Sequence, residues 1–94
     1  MRPSEALAKH RDEVLAIISR YPVINPRVFG SVARGEDVEG SDIDILVDRI
    51  GPMTYPDLFM LEDEISVLLG HPVEIATVLK PFAMESAAAD LRPL

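Results

Sequence analysis

Gly30-Ser31-Val32-Ala33-Arg34-Gly35-Glu36-Asp37-Val38-Glu39-Gly40-Ser41-Asp42-Ile43-Asp44-Ile45-Leu46-Val47 is the stretch on which the reading of this chain turns. A glycine with a hydroxyl beside it is followed, after ten residues, by two carboxylates that run straight into an apolar, β-forming segment. Residues i and i+2 of a strand project to one face, so Asp42 and Asp44 point together while Ile43 is turned toward the core. Two like charges so placed repel, and a cation is the usual remedy. Hard oxygen ligands select Mg²⁺ or Mn²⁺, and Mg²⁺ normally shares its shell with waters and substrate phosphates. The pair therefore reads as half of a metal site whose other half is a nucleotide.

Upstream, Val28-Phe29 reads as the end of a strand, and Gly30-Ser31 opens a turn into a short helical stretch, Val32-Ala33-Arg34. Backbone N–H groups at such a strand-to-helix turn are unpaired and aim at an anion, and a glycine lets a phosphate approach with no Cβ in the way. Ser31 adds a hydroxyl and Arg34 a charge-assisted contact to a phosphate oxygen. The two halves together fit a triphosphate fixed between backbone donors and metal.

Here the chain resembles the minimal nucleotidyltransferases, small stand-alone members of the polymerase-beta-like superfamily. Their signature is Gly-Ser, ten residues, Asp-x-Asp, met at Gly30, Ser31, Asp42 and Asp44, and the flanking Arg27-Val28-Phe29 and Ile45-Leu46-Val47 are in the family's style. The resemblance extends over nearly the whole chain. It implies a small mixed β-sheet of about three strands flanked by helices, an α/β (α+β) fold. It also implies a third carboxylate on a later strand, and the candidate is Glu74, the single charge in Val73-Glu74-Ile75-Ala76-Thr77-Val78. An unpaired carboxylate among apolar neighbours is costly, so Glu74 is expected to have a partner. Many relatives place Asp there; the longer Glu74 reaches a shared metal or takes the acceptor's proton as general base.

The rest of the chain reads as one α/β unit spanning residues 1–94. Ser4 caps a first helix running to about Arg20, with Leu7, Val14, Ile17 and Ile18 as its apolar stripe, and Tyr21-Pro22 breaks it. Asn25 to Phe29, Ile43 to Asp48 and Val73 to Val78 are the expected strands. Pro56 lies in the first turn of a helix whose buried face is Leu58, Leu61, Ile65 and Leu68, and Gly70 stops it. That stripe is core or partner interface. Ser86 to Ala89 reads as a short closing helix. Glu36 to Gly40 reads as a solvated acidic loop, and His10 and His71 are assigned no catalytic role.

Composition sets the frame. A chain of 94 residues buries roughly 60 to 65% of its unfolded surface in a modest core. It holds no cysteine, which excludes disulfides and thiolate metal sites, and no run approaches the roughly 18 apolar residues that span a bilayer. The N-terminus lacks the apolar stretch of a signal peptide, so the expected location is the cytoplasm. With a net charge of −7 and scattered basic residues, nucleic acid is a poor acceptor and a basic protein a better partner.

What the resemblance implies for activity is nucleotidyl transfer, with Mg²⁺ (or Mn²⁺) held by Asp42, Asp44 and Glu74 and ATP as donor. Larger nucleotidyltransferases add a helical domain for base and acceptor, for which a chain of this length leaves no room, so the acceptor is expected from a partner. In the resembled family that partner is often a HEPN-type toxin, and the small enzyme acts as antitoxin by attaching AMP to a tyrosine of it. Two alternatives stand beside this: a non-catalytic nucleotide-binding module that neutralises a partner by occlusion, and a small-molecule nucleotidyltransferase.

Overall fold

The computed structural model describes residues 1–77 and 91–94. Along the chain run α1 (Pro3–Lys9), α2 (Arg11–Ile18), β1 (Val23–Phe29), α3 (Ser31–Arg34), β2 (Ile43–Arg49), α4 (Tyr55–Leu69), β3 (Val73–Ala76) and β4 (Arg92–Pro93). The strands form one mixed sheet in the order β3-β2-β1-β4, with β2 and β3 parallel and the other pairs antiparallel.

Alternation along β2 sorts its residues. Ile43, Ile45 and Val47 are fully buried and join Val28 of β1 and Ile75 of β3 beneath the helices, where Leu7, Val14, Ile18, Leu61, Ile65 and Leu69 close the core. Asp44, Leu46 and Asp48 fall on the opposite face. Leu46 is buried as well, so the centre of β2 is covered on both sides.

Several expected boundaries move. The first helix is two: His10 ends α1 with φ −109° and opens α2, and its ring pairs with Glu13 at 3.0 Å. Ser4 is not the cap. Arg2 occupies that position, with its N–H on Glu5 Oε1 at 2.8 Å and Pro3 as the first helical residue, where a missing N–H costs nothing.

The first strand begins at Val23, two residues early, because Asn25 adopts φ +56° and its register slips between Ile24 and Arg27, a bulge that a plain alternation pattern hides. The second strand runs one residue further, to Arg49. The third ends at Ala76; Val78 lies outside the described residues, as does the closing helix expected at Ser86 to Ala89. A fourth strand, Arg92–Pro93, pairs with Arg27 and Val28 on the β1 edge. In α4 the buried residues are Leu61, Ile65 and Leu69, the first two fully enclosed, whereas Leu58 and Leu68 pack only partly. That helix opens on a capping box: Asp57 N–H donates to Thr54 Oγ1 and Thr54 N–H to Asp57 Oδ2. It stops at Gly70, φ +72°.

Candidate active site

Three elements converge where β2 and β3 begin. Phe29 ends β1 opposite Asp44 in the antiparallel ladder, so the turn that follows is delivered beside that carboxylate. Asp44 in turn is in register with Glu74 of parallel β3. Asp42 stands just ahead of β2 and is exposed; Asp44 is half-buried, and Glu74 is exposed. Glu74 therefore lies on the open side of its strand, and the costly burial expected for it does not arise.

Gly30 joins the two halves of the sequence pattern. Its φ of +75° and ψ of −153° belong to a region that only glycine occupies readily. A Cβ built there would sit 2.7 Å from Asp44 Oδ2. Glycine is thus required twice at this point, by the backbone and by the approach of a carboxylate. Ser31 opens α3, whose first N–H groups have no partner within the helix. Arg34 is exposed at the end of α3, its Nε 3.2 Å from Glu36 Oε2.

Burial, then the charge of Glu74, then that of Asp42, raise the Asp44 pKa above its ordinary 3.8. Electrostatically this cluster favours a cation. Among the described residues, however, no group of three or more His, Asp or Glu is assembled closely enough to hold a metal by itself. The arrangement suits a divalent ion that takes part of its shell from carboxylates and the rest from phosphate and water.

The patch is open. A cavity of about 520 Å³ lies at the far ends of the same strands, lined by Arg49, Met53, Thr54, Tyr55, Pro56, Leu58 and Thr77. Neither it nor another cavity, about 270 Å³ between Ser4, Arg11, Val32 and Arg92, is lined by Asp42, Asp44 or Glu74. Geometry at the strand starts, rather than concavity, marks the site.

One loop acid departs from expectation. Asp37 is 2% exposed, not solvated, and its Oδ2 accepts the Ser4 N–H at 2.8 Å. Burial alone would raise its pKa. The hydrogen bonds from the Ser4 N–H and hydroxyl and from its own N–H, with the charge of Arg2, outweigh burial and hold it below 3.8. Nothing in the local sequence separates it from Glu36 and Glu39, which are exposed.

The sequence pattern of the nucleotidyltransferase domain family matches residues 7–86. A solved structure provisionally named a minimal nucleotidyltransferase superposes with a TM-score of 0.84 at 38% identity, covering 97% of this chain and 95% of that one. The chain belongs to the minimal nucleotidyltransferase family. It is a transferase enzyme. This minimal nucleotidyltransferase is also 38% identical over 90 residues, 93% of its length and 89% of the relative's, to a Methanocaldococcus jannaschii protein provisionally named a protein adenylyltransferase. Its fold is further shared, at a TM-score of 0.72 and 12% identity, with a chain from a structure of tri-AMPylated Shewanella oneidensis HEPN toxin in complex with MNT antitoxin. That alignment covers 92% of the minimal nucleotidyltransferase and 69% of the other chain.

Proposed function

We propose that this chain is a Mg²⁺-dependent protein adenylyltransferase that moves AMP from ATP to a tyrosine hydroxyl of a HEPN-type toxin in the cytoplasm, and so serves as antitoxin. The observation that carries nucleotidyl transfer is the abutment of Gly30 on the Asp44 carboxylate with Glu74 in register beside it. The choice of a protein acceptor is supported by the adenylyltransferase name of the 38%-identical relative, and the toxin partner by the HEPN complex that shares the fold.

In this reading the first N–H groups of α3, the Ser31 hydroxyl and the positive charge of Arg34 orient the phosphates. Asp42 and Asp44, joined by Glu74, would hold a divalent cation, which would neutralise charge on the phosphates and the departing pyrophosphate. An acceptor oxygen attacks the α-phosphorus and gives up its proton to solvent, the bond from that phosphorus to the bridging oxygen breaks, and pyrophosphate leaves with the electron pair. Where Glu74 stands off the cation, its carboxylate takes the hydroxyl proton instead. The side chains form no covalent bond, so positioning and electrostatics supply the rate.

The test is co-expression with a HEPN-type toxin followed by intact-mass and peptide mass spectrometry. A toxin tyrosine should gain the mass of AMP with the wild-type chain and not with Asp42→Ala, Asp44→Ala. A double variant that still suppresses the toxin at equal abundance, with no tyrosine modified in the wild-type pairing, would replace this reading with occlusion.

A further inference from the structure

Asp37 stands in the middle of the loop that separates the two halves of the site, and it is the single buried charged side chain among the described residues. Its Oδ2 reaches 33 positions back along the chain to the Ser4 N–H in the first turn of α1, and Oδ1 has no partner among the described residues. On one side of it, the Glu36 N–H closes on the Ser31 carbonyl at 2.9 Å, capping the end of α3 just past the left-handed Gly35. On the other, Val38 and Ser41 close a turn twice: the Ser41 N–H donates to the Val38 carbonyl and the Val38 N–H to Ser41 Oγ, both at 3.0 Å. Asp42 follows at once. The Ile43 N–H is then held by the Pro72 carbonyl at 2.9 Å.

Asp42 itself is exposed and makes no hydrogen bond among the described residues, so the backbone on either side decides where its carboxylate stands. From Ile43 onward the sheet fixes that backbone. Before Ser41 the short turn is only as fixed as its anchor, and the anchor is Asp37. Burying a carboxylate is costly unless hydrogen bonds offset it. A loop needing only solubility would leave this acid in water, as it does Glu36 and Glu39.

We propose that Asp37 is a positioning residue for Asp42: by accepting the Ser4 N–H it moors the loop to α1 and fixes Asp42 relative to Asp44. The proposal rests on reading the Asp pair as a cation and nucleotide site. It is tested on the full chain with Asp37→Ala and Asp37→Asn, the second of which keeps an oxygen acceptor.

Two readouts are taken where circular dichroism shows each protein folded. The first is amide exchange of Val38, Ser41 and Ile43, which should quicken about tenfold or more in Asp37→Ala with α4 unchanged. The second is Mn²⁺ affinity in the presence of a non-hydrolysable ATP analogue, which should weaken about tenfold or more in Asp37→Ala and stay within about threefold in Asp37→Asn. Should the alanine variant fail to fold, Asp37→Glu, which displaces the carboxylate by one methylene, takes its place with the same expectation of loss. Unchanged affinity in the alanine or glutamate variant, or equal loss in Asp37→Asn, overturns the proposal. If the wild type binds no Mn²⁺ and nucleotide, the nucleotide reading fails instead, and unchanged loop exchange would then sink the mooring on its own.

Discussion

Gly30 and Asp44 constrain each other more tightly than any other pair in the site, and both directions of that constraint can be measured. Gly30→Ala meets a backbone region closed to side chains and a carboxylate oxygen 2.7 Å from the new Cβ. The strain is of order 1–3 kcal/mol, and relief requires Asp44 to move. Chemical denaturation should show that loss, and nucleotide affinity should fall with it. Asp44→Asn acts oppositely on the metal-free fold. The Asp44 pKa is raised in the native state by burial and by two neighbouring acids, so the native protein holds its proton more tightly than the unfolded chain does. That contribution is fully present below 3.8 and is lost as pH rises through the higher folded value. At pH 7 the ionised group is a liability, and Asp44→Asn should raise the melting temperature of the metal-free protein there, with the gain shrinking as pH falls toward 3.8. An equal gain at both ends of that range would place the effect in packing rather than charge.

At the scale of elements, a second ionisable cluster ties helices together. The Tyr21 hydroxyl donates to Glu64 Oε2 at 2.6 Å and Arg20 Nη2 to Glu64 Oε1 at 2.8 Å, linking the turn between α2 and β1 to α4. The hydrogen bond from Tyr21, then that from Arg20, lowers the Glu64 pKa, while the same bond raises Tyr21 to about 12. The Glu64 share of stability is present above 4.5 and disappears as pH falls through its lowered folded value; the Tyr21 share is present below 10 and disappears as pH rises toward 12. Tyr21→Phe should lower the urea midpoint between those limits, and the gap to wild type should narrow at both ends.

Periodicity placed α4, β2 and the Gly30 turn because each is governed by its own residues: alternation, a glycine, a helix stop. It missed the break at His10, since an apolar stripe continues in phase across a one-residue joint. It missed β4 because two residues carry no period and their pairing partners, Val28 for Arg92 and Arg27 for Pro93, lie far upstream in the chain. The burial of Asp37 was illegible for the same reason: its cause, the Ser4 N–H, lies in another element. Ile65, by contrast, was placed in the core by spacing and is fully enclosed. Ile65→Ala should cost about 2–5 kcal/mol, read from the shift of the denaturation midpoint.

For the whole molecule, the site is a junction: Gly30 and Ser31 come from the β1 to α3 turn, Asp42 and Asp44 from the start of β2, and Glu74 from β3. The sequence pattern made the first four legible because their spacing is fixed within one stretch, while Glu74 is placed beside Asp44 only by the parallel pairing that α4 makes possible. A ligand held across that junction clamps elements that otherwise separate on unfolding, so binding must appear as stability. Nucleotide with Mg²⁺ at about a hundred times its dissociation constant adds about 2.7 kcal/mol to the native state. In a domain of this size each kcal/mol moves the midpoint by about 4–8 °C, so the expected rise is about 10–20 °C. The rise should need both ATP and Mg²⁺, exceed that with GTP, CTP or UTP, and vanish in Asp42→Ala, Asp44→Ala. A shift that survives the double variant would locate nucleotide binding away from the strand starts, at a surface such as the 520 Å³ cavity beside Arg49. No shift with any nucleotide would leave two cases, a junction that closes on its ligand only with the proposed HEPN-type partner present and a chain that binds no nucleotide at all, and repeating the melt with such a toxin added would separate them.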